Sequence, residues 1–131
     1  MFHSYKHVKW FSFYTMLINI VKTAAENVLK SLGPGHSEIV YANAMAVELR
    51  PLVQKVEQEK IFTLQHKNVH VGFCRLDFVL DDTFVIEIKS VSQTTLTHHT
   101  QLKRYLRLPF VTQGVLINFG TRELDFFSYS Q

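Results

Sequence analysis

At 131 residues, 47% hydrophobic and 19% charged, the chain is long enough for one domain around one core, too short for two of ordinary size, and too apolar to be disordered. It shows no internal repeat, and its net charge of +3 with a pI near 9.1 allows a polyanionic partner without implying one. The single cysteine, Cys74, excludes an internal disulfide framework and fits a reducing, intracellular compartment.

Residues 1–15, MFHSYKHVKWFSFYT, form an aromatic-rich leader ahead of a single domain over 16–131. With the apolar run that follows, the leader imitates a secretory signal. Lys22 interrupts the approach to the cleavage-like Ala24-Ala25, and apolar positions 17, 21, 24, 25, 28 and 32 continue at helical spacing through it. The expectation is therefore an amphipathic helix from Thr15 to Leu32. No apolar run is long enough for a transmembrane helix, so no membrane partner is expected. The leader's aromatics suit packing on the domain, a contact with a protein partner or a second copy, or stacking on bases.

Gly33-Pro34-Gly35 stops this helix. Ser37 caps a second one that runs to Leu49 before Pro51, with Glu38, Tyr41, Ala42, Met45 and Leu49 on one face. Glu38 is the polar exception there. It suits the first turn of a helix by its charge, and it equally suits a site. Residues 51–71 read as a linker and a short strand over 60–65, with a turn at Lys67-Asn68. His66, His70 and Cys74 recur every four residues, but strand geometry would spread them too far apart for zinc.

The stretch GFCRLDFVLDDTFVIEIKS, residues 72–90, predicts two strands, Gly72 to Leu80 and Phe84 to Lys89. Alternation places Cys74, Leu76, Phe78, Leu80, Phe84, Ile86 and Ile88 on one apolar face. Arg75, Asp77, Glu87 and Lys89 fall on the other. A three-residue loop, Asp81-Asp82-Thr83, sets Asp77 opposite Glu87, whereas a two-residue loop would separate them. Two facing carboxylates repel and invite a cation between them.

A third helix is expected over Thr97 to Leu108, ended by Pro109. His98, Gln101 and Tyr105 project with Leu102, while Lys103, Arg104 and Arg107 make a basic side that suits either solvent or phosphate. Gly114 to Phe119 reads as a central strand and Leu124 to Tyr129 as an edge strand. The order of elements implies an α/β sandwich around a mixed four- to five-stranded sheet, with a right-handed crossover through the third helix.

Oxygen ligands from Asp77, Glu87 and the Ile88 carbonyl suit Mg²⁺ or Mn²⁺. Lys89 shares the face of Glu87 and could orient a water or stabilise charge on a phosphate, so the trio fits metal-assisted phosphodiester hydrolysis. A solvated hairpin carrying a cross-strand salt bridge accounts for the same residues. A sugar or acyl hydrolase has little support, because no serine, cysteine or histidine nucleophile arrangement accompanies the carboxylates.

Four short motifs stand in order: GHSEIVY (35–41), preceded by Leu32-Gly33-Pro34; Asp77 followed after nine residues by Glu87-Ile88-Lys89; HHTQLKRY (98–105); and GVLINFG (114–120). Together they resemble the GxxExxY family of the PD-(D/E)XK nuclease superfamily, and the third carries the QxxxY element of RecB-like and lambda-exonuclease-like members. The resemblance covers about Val21 to Gly120 and implies a restriction-endonuclease-like αβββαβ core. It also implies a Mg²⁺- or Mn²⁺-dependent nuclease acting on nucleic acid, DNA ahead of RNA. On that resemblance Asp77 and Glu87 are metal ligands, Glu38 is the helix-borne acidic residue and a candidate further ligand, and Lys89 is the catalytic lysine. Gln101 and Tyr105 line the site, and Tyr41, His98, Lys103, Arg104 and Arg107 are the weaker candidates for substrate contact. The alternative is a non-catalytic nucleic-acid-binding or assembly module that retains the fold.

Overall fold

The computed structural model describes the backbone of residues 2–131 and the side chains from Phe13 onward. Its elements follow the expected order: α1 (Phe2–Leu32), α2 (Glu38–Leu49), β1 (Val56–His66), β2 (Val69–Leu80), β3 (Phe84–Lys89), α3 (Leu96–Tyr105), β4 (Gln113–Asn118) and β5 (Asp125–Ser130). The five strands lie in sequence order in one mixed sheet, antiparallel except for the parallel pair β3 and β4, which α3 connects. Helices cover both faces. Leu17, Val21, Tyr41 and Met45 of α1 and α2 pack on Phe78, Ile86 and Ile117, while Leu102 and Tyr105 of α3 pack with Val79, Val85 and Leu116 on the opposite side.

Several boundaries differ from expectation. The helix expected from Thr15 begins at Phe2. The roles considered for the leader fall largely on side chains outside the described residues, but Phe13 packs on the core and the Thr112 hydroxyl donates to Tyr14 Oη at 2.9 Å. Leu32, expected in the buried stripe, is exposed, and Leu29 is buried in its place just before Gly33 closes the helix at φ 73°. β1 starts four residues before the expected Lys60, because Glu57 and Gln58 are drawn into a strand by pairing with Val79 and Phe78 rather than by their own propensity. α3 ends at Tyr105, three residues early, and continues as single turns toward Pro109, which disfavours helix at the residue before it.

The central hairpin turns through Asp81-Asp82-Thr83 as the alternation requires. Asp81 and Asp82 both take left-handed φ, 48° and 67°, which aspartate tolerates better than most residues, so the loop needs no glycine. The uniform apolar face expected along β2 does not hold. Phe78 and Leu80 pack under α1 and α2, whereas Leu76 and Cys74 pack on the α3 side. β1 behaves the same way, with Val56 on the first side and Phe62 on the second. Between these pairs the ladder skips Glu59 and Asp77, and Glu59 sits at φ 56°. The reversal falls at left-handed Glu59 on β1 and at Asp77 on β2.

Candidate active site

β2 pairs with β3 only through Phe78↔Ile86, Val79↔Val85 and Leu80↔Phe84. One more step would set Asp77 against Glu87, but the ladder stops short, so the direct cross-strand pair expected from the register does not form. Instead the Asp77 carboxylate reaches past Glu87 and accepts the Ile88 N–H at 2.7 Å. The two carboxylates still feel each other through charge and side-chain contact. Lys89 Nζ lies 3.3 Å from Glu87 Oε1.

Glu87 stands between Ile86 and Ile88 in β3 and keeps only 4% of its surface exposed. Burial first, and the Asp77 charge second, push its pKa up to about 8 against the partial relief from Lys89. Asp77 is also raised, chiefly by burial, with the Ile88 N–H and Lys89 opposing and Glu38 adding to the rise. The second oxygen of Glu87, Oε2, is buried with no hydrogen-bond partner among the described residues. A buried Glu87 and a half-buried Asp77 that repel each other, with one orphaned oxygen, form a donor set for a hard divalent cation, so these residues fit such an ion. Among the described residues no three His, Cys, Asp or Glu side chains gather around one point, so the pair would leave the remaining positions to water or substrate.

The site opens into a cleft of about 230 Å³ between the start of α2, at Glu38, Ile39 and Ala42, and the β1–β2 reversal, at Glu59, Arg75 and Asp77, with Ile88 as its floor. Glu38, considered as a further metal ligand, stands exposed at the lip and acts on the carboxylates through charge alone. Glu59 and Arg75 are cleft residues that sequence reasoning missed. Arg75 carried a signal, lying two residues from Asp77, but Glu59 carried none, because its placement depends on a left-handed φ that neither Gly nor Asn announces. A larger groove of about 630 Å³ lies between α1 and α2, and among the described residues Glu48 is its only ionisable wall residue.

The other sequence candidates separate clearly. Gln101 Nε2 donates to Tyr105 Oη at 3.1 Å, and that hydroxyl donates to the Arg75 carbonyl at 3.3 Å, tying α3 to β2 two residues before Asp77. Burial raises the Tyr105 pKa. Tyr41, considered for substrate contact, is fully buried: it stacks on Phe119 at 4.5 Å, accepts the His36 N–H at 3.1 Å and donates to the Gly33 carbonyl. His98, another such candidate, instead closes the α3 capping box, its Nδ1 accepting the Thr95 N–H at 3.1 Å. Lys103 and Arg104 are exposed on α3 and Arg107 in the turn after it, with the Lys103 ammonium 5.1 Å from the Tyr129 ring centre.

A sequence model of the PD-(D/E)XK nuclease superfamily matches residues 15–126. The chain belongs to this superfamily. Neither the curated proteins nor the solved structures yield a match. The mixed five-stranded sheet flanked by helices agrees with the PD-(D/E)XK nuclease fold. Membership points to a metal-dependent nuclease, since these enzymes generally use divalent ions, and hence to a nucleic-acid substrate. Among the described residues no helix is long and apolar enough to cross a membrane.

Within that fold the closing strand of the superfamily domain acts as a clamp. Fully buried Asn118 accepts the N–H groups of Val91 and Gly120 at 2.9 and 3.0 Å, and its amide donates to the Val91 carbonyl at 2.9 Å and to Asp125 at 3.1 Å. The Ser90 hydroxyl donates to the His36 carbonyl. The chain that leaves Lys89 is thus held on one side by β4 and on the other by the turn before Glu38.

Proposed function

We propose that this chain is a metal-dependent nuclease of the GxxExxY type that hydrolyses phosphodiester bonds, in DNA ahead of RNA. The observation that carries the reading is buried Glu87 beside half-buried Asp77, with Glu87 Oε2 unpartnered among the described residues and Lys89 next to it. Asp77 and Glu87-Ile88-Lys89 supply the D and ExK letters of the superfamily name, with Leu76 where the name has proline.

Asp77 and Glu87 would hold Mg²⁺ or Mn²⁺, which when bound acidifies water and neutralises charge on a phosphate oxygen. Asp77 is kept in place by the Ile88 N–H, so one of its oxygens is oriented while the other stays available. Lys89, 14% exposed, lies next to Glu87 and would donate N–H protons of Nζ to a water or to a non-bridging phosphate oxygen. The Gln101–Tyr105 pair acts as a positioning unit, since it grips the backbone of Arg75 rather than either carboxylate. Glu38 at the lip contributes negative charge that favours a cation in the cleft.

The test is cleavage of labelled single-stranded, duplex and structured DNA and RNA with Mg²⁺ or Mn²⁺, run beside Glu87→Ala and an EDTA control. Metal-dependent cleavage by the wild type, lost in Glu87→Ala, is expected. Inactivity of the folded wild type across the whole panel would leave the non-catalytic binding module as the better reading.

A further inference from the structure

β1 and β2 continue well past the sheet. Only Phe78 to Leu80 pair with β3, so the remainder of β2, paired with β1 alone, forms a two-stranded ribbon that ends in the left-handed Lys67-Asn68 turn. Its inner face is occupied, with Phe62 and Cys74 packed on the α3 side of the core. Its outer face is not. Ile61, Val71 and Phe73 are 56%, 62% and 60% exposed, an unusual density of bare apolar side chains for one short ribbon. Cross-strand pairing joins them into one strip, Phe73 opposite Thr63 and Ile61 opposite Arg75, and Arg75 is itself a wall of the cleft that holds Asp77.

Charge shows what the strip fits. Between Glu59 and Asp77 there is no acidic residue, while His66, Lys67 and His70 mark the tip and Arg75 the base. A duplex would present two phosphate backbones and call for cations along the length of the ribbon, but the middle of the strip, at Ile61, Thr63 and Phe73, carries no charge. A second copy seated on Phe73 and Ile61 would cover Arg75 and close the mouth of the cleft. Unpaired bases need an apolar or aromatic platform flanked by positive charge, which is what Phe73, Ile61 and Val71 make between Lys67 and Arg75. From Ile61 to His66 the ribbon extends roughly 17 Å at 3.3–3.4 Å per residue, room for about two or three nucleotides of an extended strand, whose rise is about twice the 3.4 Å of a stacked one.

We propose that the outer face of the β1–β2 ribbon is a track for single-stranded nucleic acid, on which Phe73 stacks against an unpaired base and Arg75 takes a phosphate at the mouth of the cleft. The proposal rests on the nuclease reading of that cleft and specifies its substrate class. Cleavage of duplex ends or structured strands would then depend on an unpaired stretch reaching the ribbon.

The test separates the two ideas by measuring binding without metal. Fluorescence anisotropy in EDTA, with labelled single-stranded DNA and RNA and the matching duplex, compares the wild type with Phe73→Ala and Phe73→Trp. The track predicts tighter binding of a single strand, of either sugar, than of duplex. It also predicts weakening by about tenfold or more in Phe73→Ala and retention in Phe73→Trp. Phe73 is exposed, so the alanine variant should melt as the wild type does. Unchanged binding in Phe73→Ala, or tighter binding of duplex, overturns the track. So does a dimer that Phe73→Ala converts to monomer while strand binding stays the same, which would assign the face to a second copy. If Mg²⁺-dependent cleavage occurs and ignores Phe73→Ala, the track falls and the nuclease stands. If strand binding depends on Phe73 but no cleavage appears with any ion, the nuclease reading falls and the track stands.

Discussion

Asp77 accepts the backbone N–H of Ile88 at 2.7 Å, across the point where β2 parts from β3. That bond does two jobs: it satisfies a buried donor that the shortened ladder leaves unpaired, and it aims a carboxylate at the cleft.

The two jobs predict different variants. Asp77→Ala strands the Ile88 N–H, and denaturant titration should show a loss of about 1–3 kcal/mol. Asp77→Asn keeps an acceptor and removes the charge, so it should remain nearly as stable while losing Mn²⁺ binding by calorimetry. Mn²⁺ affinity equal to that of the wild type in both variants would remove Asp77 from the metal site.

Glu87 makes stability depend on pH in the metal-free protein. Its folded pKa, about 8, lies above the ordinary 4.5, so the folded state holds the proton more tightly. Its contribution is complete below about pH 4.5 and is lost as pH rises toward 8, at up to about 1.4 kcal/mol per pH unit. In EDTA, Glu87→Gln should therefore melt higher than the wild type at pH 8 and similarly at pH 4.5, while being inactive in Mg²⁺. Parallel melting curves for the two proteins across that range would contradict the buried, repelled state of this carboxylate.

Tyr41→Phe should separate framework from substrate contact. The ring and its stack on Phe119 remain, and the bonds to Gly33 and His36 are lost, so a drop of about 1 kcal/mol in stability is expected. Strand binding in EDTA should not change. A selective loss of binding at unchanged stability would return Tyr41 to the substrate surface.

Gly120 and Asn118 should be intolerant for reasons of space and hydrogen bonding. A Cβ on Gly120 would come within 2.0 Å of the Val91 carbonyl oxygen, so Gly120→Ala should fail to give a cooperative thermal transition. Asn118→Ala removes the clamp on Val91 and should cost a few kcal/mol by denaturant titration, with loss of activity through the displaced Lys89 segment.

The sequence by itself determined the order of elements, the bounds of β3 and the three-residue turn, because each is written in local periodicity or in a turn that only certain residues accept. It also placed Asp77, Glu87 and Lys89 near one another through the turn, but the direct Asp77–Glu87 pair that the register predicts does not form, because the ladder ends at Phe78↔Ile86. What only the tertiary structure decided is which way side chains look once strands leave the ladder. The left-handed Glu59 costs about 1–2 kcal/mol in isolation and is held by its surroundings, so nothing in its own neighbourhood of sequence announces it. At the same step of the ladder Leu76 and Cys74 pass to the far side of the sheet, and the reversal sets Glu59 and Arg75 in the cleft wall beside Asp77. Tyr41 and His98 likewise read as surface chemistry until packing and capping claimed them, because hydrogen-bond partners from neighbouring turns are invisible to spacing along a helix.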